Sequence, residues 1–370
     1  MAFVASARIV AAALIVTGPP ALASPAAAAA PVSATPVWAA PASPQVMSEE
    51  KSFENAGATL KGTLFLPKGG RALGAVVVTH GAAIPLRGAS LYRHLTEMLP
   101  PLGIAVFVYD RRGSGASGGD LSKSDYAMLA DDAIAAGRML AKDPRIDPKR
   151  IGVWGLSQGG WLSLLAASKS PVFRFAVSIS APVVTPDLQM IFSSQNALRV
   201  NGYPPSDIAQ MTAARRAVDD YMRGKGERAT AQRLVDGIKT KPWFGLLYMS
   251  PAVGDRATSR WRREIEHDPM ATLEAVKVPM LVIYGATDPV VPVATSVEKL
   301  KAVAPKLPNM EVAVIAGADH EMQTKVPAKD LLDPAKAALG TPDSTEYFGL
   351  LTSWLTKQGV GGPSRARLKP

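Results

Sequence analysis

The sequence predicts an α/β fold, in which buried strands alternate with helices. Apolar runs of strand length occur at residues 74–79, 104–109, 151–154, 279–284 and 311–315. Segments with helical apolar spacing follow several of these runs, and apolar residues make up 47% of the 370-residue chain. Short buried runs that alternate with helices are typical of sheets covered by helices. The length is compatible with one domain that carries an insertion.

The run at 151–154 leads into the sequence Gly-Leu-Ser-Gln-Gly, with Ser157 at its centre, and a helix-like segment at 160–167 follows. Ser157 is therefore expected at a sharp strand-to-helix turn that exposes its hydroxyl. The two glycines leave room for neighbouring backbone, and the backbone N–H of Gln158 can point at a developing oxyanion. In isolation, the same five residues also fit an ordinary glycine-bounded strand end.

A serine hydroxyl is a weak nucleophile until a base accepts its proton and a third group orients that base. In one known chain order, the acid and then the histidine follow the serine, each after a later strand. Asp288 lies in the loop after the run at 279–284, and His320 is the histidine that follows it. These two residues are the expected partners of Ser157. Asp319 and Glu321 flank His320 and are the alternative acids.

A second oxyanion donor is expected near the front of the chain. The run at 74–79 leads into His80, Gly81 and Ala82, and the backbone N–H of Ala82 is the predicted donor. A histidine ahead of this glycine is interpreted as a hydrogen-bonded structural residue rather than a metal ligand. His94 and His267 are interpreted as surface or packing residues.

Together these features resemble the α/β-hydrolase family, over roughly residues 50–358 apart from an insertion. The resemblance rests on the His-Gly loop, the Asp-Arg-Arg-Gly-Ser-Gly-Ala-Ser turn at 110–117, the turn at Ser157, the acid loop at 285–292 and the Asp-His turn at 319–320. It implies a mostly parallel central sheet with helices on both faces and a helical cap insertion. Within the family, the chain looks similar to bacterial secreted hydrolases of the serine aminopeptidase and dienelactone hydrolase-like branches, which include many carboxylesterases.

The resemblance implies a serine hydrolase in which Ser157 attacks a carbonyl, His320 transfers the proton and Asp288 holds the imidazolium. Ala82 and Gln158 would stabilise the oxyanion, and no cofactor is needed. Carboxylic ester hydrolysis is the first expectation. A peptidase of the aminopeptidase or prolyl type, or an acyl thioesterase, would use the same residues. A catalytically silent binding protein of the same fold is the non-enzyme alternative, but no member of the triad is missing.

The N-terminus has the pattern of a secretory signal. Arg8 precedes an apolar run at 9–16, and the sequence Ala-Leu-Ala that ends at Ala23 is a cleavage site of the usual kind. Residues 1–23 are therefore predicted to be a signal peptide, and the protein is predicted to be secreted or periplasmic. The alternative is a disordered, alanine-rich start. Residues 24–46 are rich in Ala, Pro and Ser, which predicts a disordered linker.

The remaining chain divides into four predicted parts, which are a first core segment at 47–182, a cap at 183–266, a second core segment at 267–358 and a disordered basic tail at 359–370. The cap lacks buried-strand runs and contains amphipathic helical windows. Its apolar strip at 241–248 either lines an acyl pocket or packs the cap onto the core. For any single aromatic residue of the strip, packing is the preferred interpretation.

Composition excludes several other classes. The chain has no cysteine, which removes disulfides, thiol nucleophiles and thiolate metal sites, and its four histidines disfavour a metal site. The net charge of +10 comes without a Lys/Arg block interleaved with aromatics and without a phosphate-binding loop. The glycines at 113–118 resemble a dinucleotide fingerprint but lack its helix. The expected partner is a small acyl substrate, with no nucleic acid and no stable membrane insertion after signal removal.

Overall fold

A computed structural model of the chain describes residues 46–71, 73–334, 336 and 340–361. The predicted signal segment at 1–23, almost all of the predicted linker and most of the predicted basic tail lie outside these residues. Among the helices that are described, none is long and apolar enough to cross a lipid bilayer.

The centre of the described region is an eight-stranded sheet with the spatial order β1-β2-β4-β3-β5-β6-β7-β8. Strand β2 pairs antiparallel with β1 on one side and with β4 on the other, and β4-β3-β5-β6-β7-β8 is parallel throughout. The strands are β1 (Val46–Asn55), β2 (Ala58–Pro67), β3 (Leu73–Thr79), β4 (Ile104–Tyr109), β5 (Ile146–Leu156), β6 (Ala176–Ile179), β7 (Met280–Gly285) and β8 (Met310–Ile315).

Helices connect the strands, and a group of them lies between β6 and β7. In chain order they are α1 (Ser90–Met98), α2 (Tyr126–Leu140), α3 (Gln158–Lys169), α4 (Pro186–Val200), α5 (Pro205–Met222), α6 (Arg228–Asp236), α7 (Arg260–Glu264), α8 (Pro269–Ala275), α9 (Val293–Val303), α10 (Ala328–Leu331) and α11 (Thr345–Lys357).

The two faces of the sheet carry separate apolar cores because successive side chains of a strand point to opposite faces. On β3, Val76 and Val78 pack with residues of α1 and α11, whereas Ala75 and Val77 pack with residues of α2, α3, α8 and α9. Every residue of β3 and β4 is buried, which is typical of parallel strands covered on both sides. The fold class predicted from the sequence, a mostly parallel sheet with helices on both faces, is confirmed.

The segment between β6 and β7 has its own small apolar clusters. One contains Leu198, Met211, Trp243 and Leu247, all of them buried. Trp243 therefore packs inside this segment, whereas the sequence-based interpretation has the strip pack the cap onto the core. The cap boundaries drawn from the sequence at residues 183 and 266 stay predictions.

Two boundaries drawn from the sequence need correction at their outermost residues. Val46, assigned to the linker, is the first residue of β1. Val360, assigned to the basic tail, is buried, and its carbonyl oxygen accepts a 2.7 Å hydrogen bond from Arg150 Nη2. It fits against the sheet because Gly74 has no side chain; a Cβ at Gly74 would meet the Val360 oxygen at 2.4 Å. The hydrophobicity of Val360 is the local signal that the basic composition of the tail obscured.

A buried ion pair ties the first strand to the turn after β4. Arg112 donates from Nε to Asp132 Oδ2 at 3.0 Å and from Nη2 to Asp132 Oδ1 at 2.5 Å. Asn55, the last residue of β1, donates to Asp132 Oδ1 at 2.7 Å and accepts from Arg112 Nη2 through its carbonyl at 2.8 Å. Bidentate pairing of this kind gives both carboxylate oxygens hydrogen bonds while the group is shielded from water.

Removal of this carboxylate is expected to destabilise the protein strongly, because it leaves the guanidinium buried without its partner. Asp132→Ala should lower the free energy of unfolding by about 3–5 kcal/mol. The matched control is Asp131→Ala on the same helix, whose half-exposed pair with Lys169 should contribute no more than about 1 kcal/mol. Urea denaturation followed by circular dichroism measures both values. Equal losses in the two variants would contradict the prediction.

Candidate active site

Ser157 stands between β5 and α3 in a strained backbone conformation. Its φ is 57° and its ψ is −124°, a combination that residues with a side chain rarely adopt. The strand before it ends at Leu156 and the helix begins at Gln158, so a single residue makes the turn between them. The turn places the serine at the carboxyl edge of the parallel sheet, where the sequence predicted it.

The turn is possible because two glycines let three segments touch. A Cβ at Gly155 would stand 2.0 Å from the carbonyl oxygen of Gly159, and a Cβ at Gly159 would stand 2.5 Å from that of Thr79. The Thr79 hydroxyl donates to the carbonyl oxygens of Trp154 at 3.0 Å and Gly159 at 2.7 Å. The end of β3 is thereby fastened to both sides of the serine turn.

The structure places Ser157, Ala82 and Gln158 in the wall of one cavity of about 190 Å³. Within the described chain, the backbone N–H groups of Ala82 and Gln158 donate no hydrogen bond to another residue. The N–H of Gln158 also opens helix α3, where the helix dipole favours negative charge. Two unpaired N–H donors beside a serine hydroxyl are the donor set that an oxyanion requires.

The rest of the cavity wall combines apolar surface with one ion pair. Besides the three residues already named, the lining residues are Tyr126, Trp161, Pro182, Pro186, Gln189, Met190, Arg260, Trp261 and Glu264. Helices α4 and α7 contribute six of them: Pro186, Gln189 and Met190 from α4, and Arg260, Trp261 and Glu264 from α7. The sequence did not indicate which residues of this segment face the serine.

Glu264 and Arg260 form an ion pair in this wall, with 2.5 Å between Arg260 Nη2 and Glu264 Oε1. Burial raises the pKa of the Glu264 carboxyl above its ordinary value, although Arg260 and Arg111 oppose that shift. The charges of Arg260 and Arg111 both act on this one carboxylate, so the local balance of charge is positive.

Asp288 and His320 are hydrogen-bonded to each other at the same edge of the sheet. The distance from His320 Nδ1 to Asp288 Oδ2 is 2.8 Å. A carboxylate can only accept, so the proton lies on Nδ1 and Nε2 is the ring nitrogen left to act as a base. The other carboxylate oxygen, Oδ1, accepts from the backbone N–H groups of Val290 at 2.7 Å and Val291 at 3.1 Å. The loop after β7 therefore holds the carboxylate in one orientation.

Asp319, the alternative acid, is used by the structure in a different way. Its Oδ1 accepts from the backbone N–H groups of Glu321 at 2.9 Å and Gln323 at 2.8 Å. These bonds close the turn that carries His320. Burial raises the pKa of Asp319 to about 6, an effect that the two N–H donors oppose. The contact with the imidazole ring thus belongs to Asp288, and Asp319 shapes the backbone beside it.

The four histidines differ sharply in their electrostatic surroundings. Burial by itself lowers the pKa of His320, but the charge and hydrogen bond of Asp288, together with the charges of Glu321 and Asp319, raise it above the ordinary value. Burial lowers the pKa of His80 to about 3 and those of His94 and His267 to about 4. His320 is therefore the histidine that can exchange a proton near neutral pH.

The other histidines have packing or structural contacts. His80 Nε2 contacts the carbonyl oxygen of Tyr109, which fits the structural interpretation. His94 bonds the Leu91 carbonyl and the Tyr347 hydroxyl. Among the residues for which the structure gives positions, no group of three or more His, Asp or Glu side chains is arranged to hold a metal ion.

The sequence missed one buried residue of the site, Arg111. Its guanidinium donates to the carbonyl oxygens of Gly81 and Ala82 and to the side chain of Gln158. The turn at 110–117 was noted as a motif, yet nothing in its local pattern indicates where the arginine points. Its partners lie about 30 and 47 positions away in the chain, beyond the reach of a local signal.

Known proteins share sequence and structural features with this chain. The family model described as serine aminopeptidase, S33, matches residues 70–325, which is most of the chain. The chain belongs to this family of α/β-hydrolases. The resemblance inferred from the sequence motifs is thereby confirmed.

Individual relatives of this S33 chain are more distant. It is 35% identical over 142 residues to a thiohydrolase, apmlB, of Arthrinium phaeospermum, covering 37% of this chain and 44% of the relative. It is 30% identical over 172 residues to a polyketide transferase, claH, of Penicillium crustosum, covering 45% and 51%. The chain thus matches about half the length of these curated relatives. A solved esterase of Pyrococcus furiosus has the same fold, with a TM-score of 0.51, 18% identity and coverage of 85% and 89%.

The electrostatics of the histidines can be tested directly by NMR titration of their ring protons. We expect the His320 resonance to titrate with a midpoint above pH 6.5, while the other three titrate below pH 5 because burial disfavours their charged forms. Asp288→Asn should move the His320 midpoint downward, because both contributions of Asp288 raise it. His320→Gln assigns the resonance. An unchanged midpoint in Asp288→Asn would contradict the electrostatic role given to this carboxylate.

Proposed function

We propose that the protein hydrolyses carboxylic esters through an acyl-enzyme intermediate, with Ser157 as nucleophile, His320 as base and Asp288 as the orienting acid. Ala82 and Gln158 form the oxyanion hole. The observation that carries the proposal is the 2.8 Å bond between Asp288 and His320, which selects the tautomer that a serine nucleophile needs. The free N–H groups beside Ser157 support it.

The proposed reaction has two halves. In the first, Ser157 Oγ bonds to the ester carbonyl carbon while its proton passes to His320 Nε2, and the carbonyl oxygen becomes an oxyanion facing Ala82 and Gln158. Collapse of this intermediate breaks the bond to the alcohol, which leaves with the proton from His320. In the second half, water attacks the acyl-enzyme with His320 as base, and the acid product and free Ser157 are released.

The charge distribution favours an ester over a peptide with a free amino terminus. A substrate ammonium group needs an unneutralised carboxylate near the serine. Glu264 is the carboxylate in the cavity wall, and it is already paired with Arg260 and influenced by Arg111. An additional positive charge would be repelled by Arg260 in the cavity wall, which is unfavourable in a buried site. A thioester is the second candidate, since one relative is described as a thiohydrolase and the same nucleophile attacks thioesters.

The N-terminal sequence adds a proposal about location. Because residues 1–23 have the composition of a secretory signal, we propose that the enzyme acts outside the cytoplasm, in the periplasm or the surrounding medium. This proposal rests on the sequence alone, since these residues lie outside the described part of the chain.

A matched substrate panel tests the proposed reaction. One short acyl group is presented as an aryl ester, an alkyl thioester and an anilide, and kcat/KM is measured for each. We expect the ester to give the highest value. A further pair consists of an aminoacyl anilide with a free amino group and its N-acetylated form. If acetylation lowers kcat/KM tenfold or more, the site recognises an ammonium group and the peptidase alternative replaces our proposal.

Ser157→Ala is expected to abolish ester hydrolysis in a protein that remains folded, because the hydroxyl is the nucleophile and contributes little packing. The loss should be on the order of 10⁴-fold or more in kcat. A fluorophosphonate should label Ser157 in the native protein, as located by mass spectrometry of peptides. The control is Ser168→Ala on the same helix, whose hydroxyl bonds only the Leu165 carbonyl and which should keep full activity. Labelling at another serine would remove Ser157 from its role.

The choice between the two candidate acids is decided by kinetics on paired variants. Asp288→Asn should lower kcat by up to about 10⁴-fold, because an amide can hold the wrong imidazole tautomer. Asp319→Asn should have a smaller effect, since its carboxylate bonds backbone N–H groups rather than the ring. Both variants are checked for native folding by thermal denaturation. A greater loss in Asp319→Asn would make our assignment of the acid wrong.

A further inference from the structure

Arg111 is a buried cation for which the described residues supply no ion-pair partner. The residue next to it, Arg112, is paired with Asp132. Arg111 is only 5% exposed, yet its guanidinium bonds neutral oxygens alone, and the charge of Glu264 raises its pKa without forming an ion pair with it. Burial lowers the pKa of this guanidinium, and the charge of Arg260 lowers it further. A charge placed in this way is costly to the fold, so its position calls for an explanation beyond stability.

The three side-chain hydrogen bonds of Arg111 reach the two residues of the proposed oxyanion hole and Gly81, which precedes one of them. Nη1 donates to the carbonyl oxygen of Gly81 and to Gln158 Oε1, each at 3.3 Å. Nη2 donates to the carbonyl oxygen of Ala82 at 3.1 Å. One planar group therefore bridges the loop after β3 and the first residue of α3, which supply the two donors from different parts of the chain.

The bond to Gly81 acts on the donor itself. The Gly81 carbonyl and the Ala82 N–H belong to one planar peptide unit, in which they point in opposite directions. A donor that fixes the carbonyl oxygen on one side consequently fixes the N–H on the other. Hydrogen bonds in a chain also polarise each other, so a cation on the carbonyl makes the opposite N–H a stronger donor.

We propose that Arg111 is the positioning residue of the oxyanion hole: its guanidinium fork sets the orientation of the Ala82 N–H and anchors the side chain of Gln158. The inference rests on the proposed function, because it assigns Arg111 to the step in which an oxyanion forms. Arg111 acts through these two residues. Its positive charge behind the hole stabilises negative charge in the transition state more than in the substrate.

Arg111→Met is expected to lower kcat about 10²-fold while KM changes less than about threefold, because displaced donors weaken transition-state binding and leave ground-state contacts intact. The affinity for a trifluoromethyl ketone, whose adduct with Ser157 carries an oxyanion, should fall by a similar factor. The affinity for the matched methyl ketone should not. A loss that appears mainly in KM, or equal losses for the two ketones, would overturn the proposal.

Arg111→Lys separates the effect of the planar guanidinium geometry from the effect of the positive charge. An ammonium group keeps the charge but cannot bond three acceptors in the same planar geometry. We expect kcat to fall at least tenfold in this variant too, and it carries the test if the methionine variant does not fold. Full activity in folded Arg111→Lys would reduce the role of Arg111 to its charge and overturn positioning. Arg87→Met is the charge-matched control; Arg87 contacts Asp110 at the same turn but does not line the cavity, and kcat should stay within about twofold.

A measurement independent of activity distinguishes this inference from the proposed function. Backbone amide signals of Ala82 and Gln158 in the ¹H–¹⁵N spectrum should shift in Arg111→Met and stay in place in Arg87→Met. Unmoved signals would overturn the positioning role whatever the kinetics show. Native protein that neither hydrolyses acyl substrates nor labels at Ser157 would instead overturn the proposed function, while the amide signals would still decide whether Arg111 holds the loop.

Discussion

The rest of the site depends on the strained backbone at Ser157. A φ of 57° at a residue with a side chain costs about 1–3 kcal/mol and persists only where the surroundings enforce it. Here close packing of the backbone enforces it. The carbonyl oxygen of Gly159 lies within 2.0 Å of where a Cβ of Gly155 would be, and that of Thr79 lies within 2.5 Å of where a Cβ of Gly159 would be. The same contact brings the loop after β3 beside the serine, so one constraint both exposes the Ser157 hydroxyl and places Ala82 in the wall of the same cavity.

Two kinds of buried charge surround this turn, and the structure treats them differently. Both oxygens of the Asp288 carboxylate accept hydrogen bonds: one from two backbone N–H groups and the other from His320. Its charge is stabilised by fixed donors, and the imidazole remains oriented whether or not it carries a second proton. Arg111 has only neutral acceptors. In the proposed reaction, a carboxylate beside Arg111 would cancel its field at the position of the oxyanion, so incomplete neutralisation is what would make this charge useful.

The sequence was sufficient to predict the sheet and the loops that carry Ser157, Asp288 and His320, because buried strands leave local apolar runs and each residue follows the end of one. The choice between Asp288 and Asp319 was harder, since both lie near His320 in a plausible fold. Hydrogen bonding within the turns separates them: Asp319 satisfies N–H groups of its own turn, and Asp288 reaches across to the ring.

The sequence could not predict which residues line the cavity, for a different physical reason. An amphipathic helix shows which side is apolar but not which surface that side covers. Trp261 and Met190 line the cavity beside Ser157, whereas Trp243, in the strip singled out from the sequence, packs within its own segment. Tyr248, in the same strip, is 51% exposed. Aromatic content alone therefore predicted neither position.

Arg111 and Arg112 show how one turn can serve both stability and chemistry. They are adjacent and identical in type, but their side chains leave the turn in different directions. Arg112 reaches Asp132 and the end of β1, and so fastens the antiparallel edge of the sheet to helix α2. Arg111 reaches the oxyanion loop and Gln158. A single peptide bond therefore joins a residue that holds the sheet edge to one that contacts the residues around Ser157.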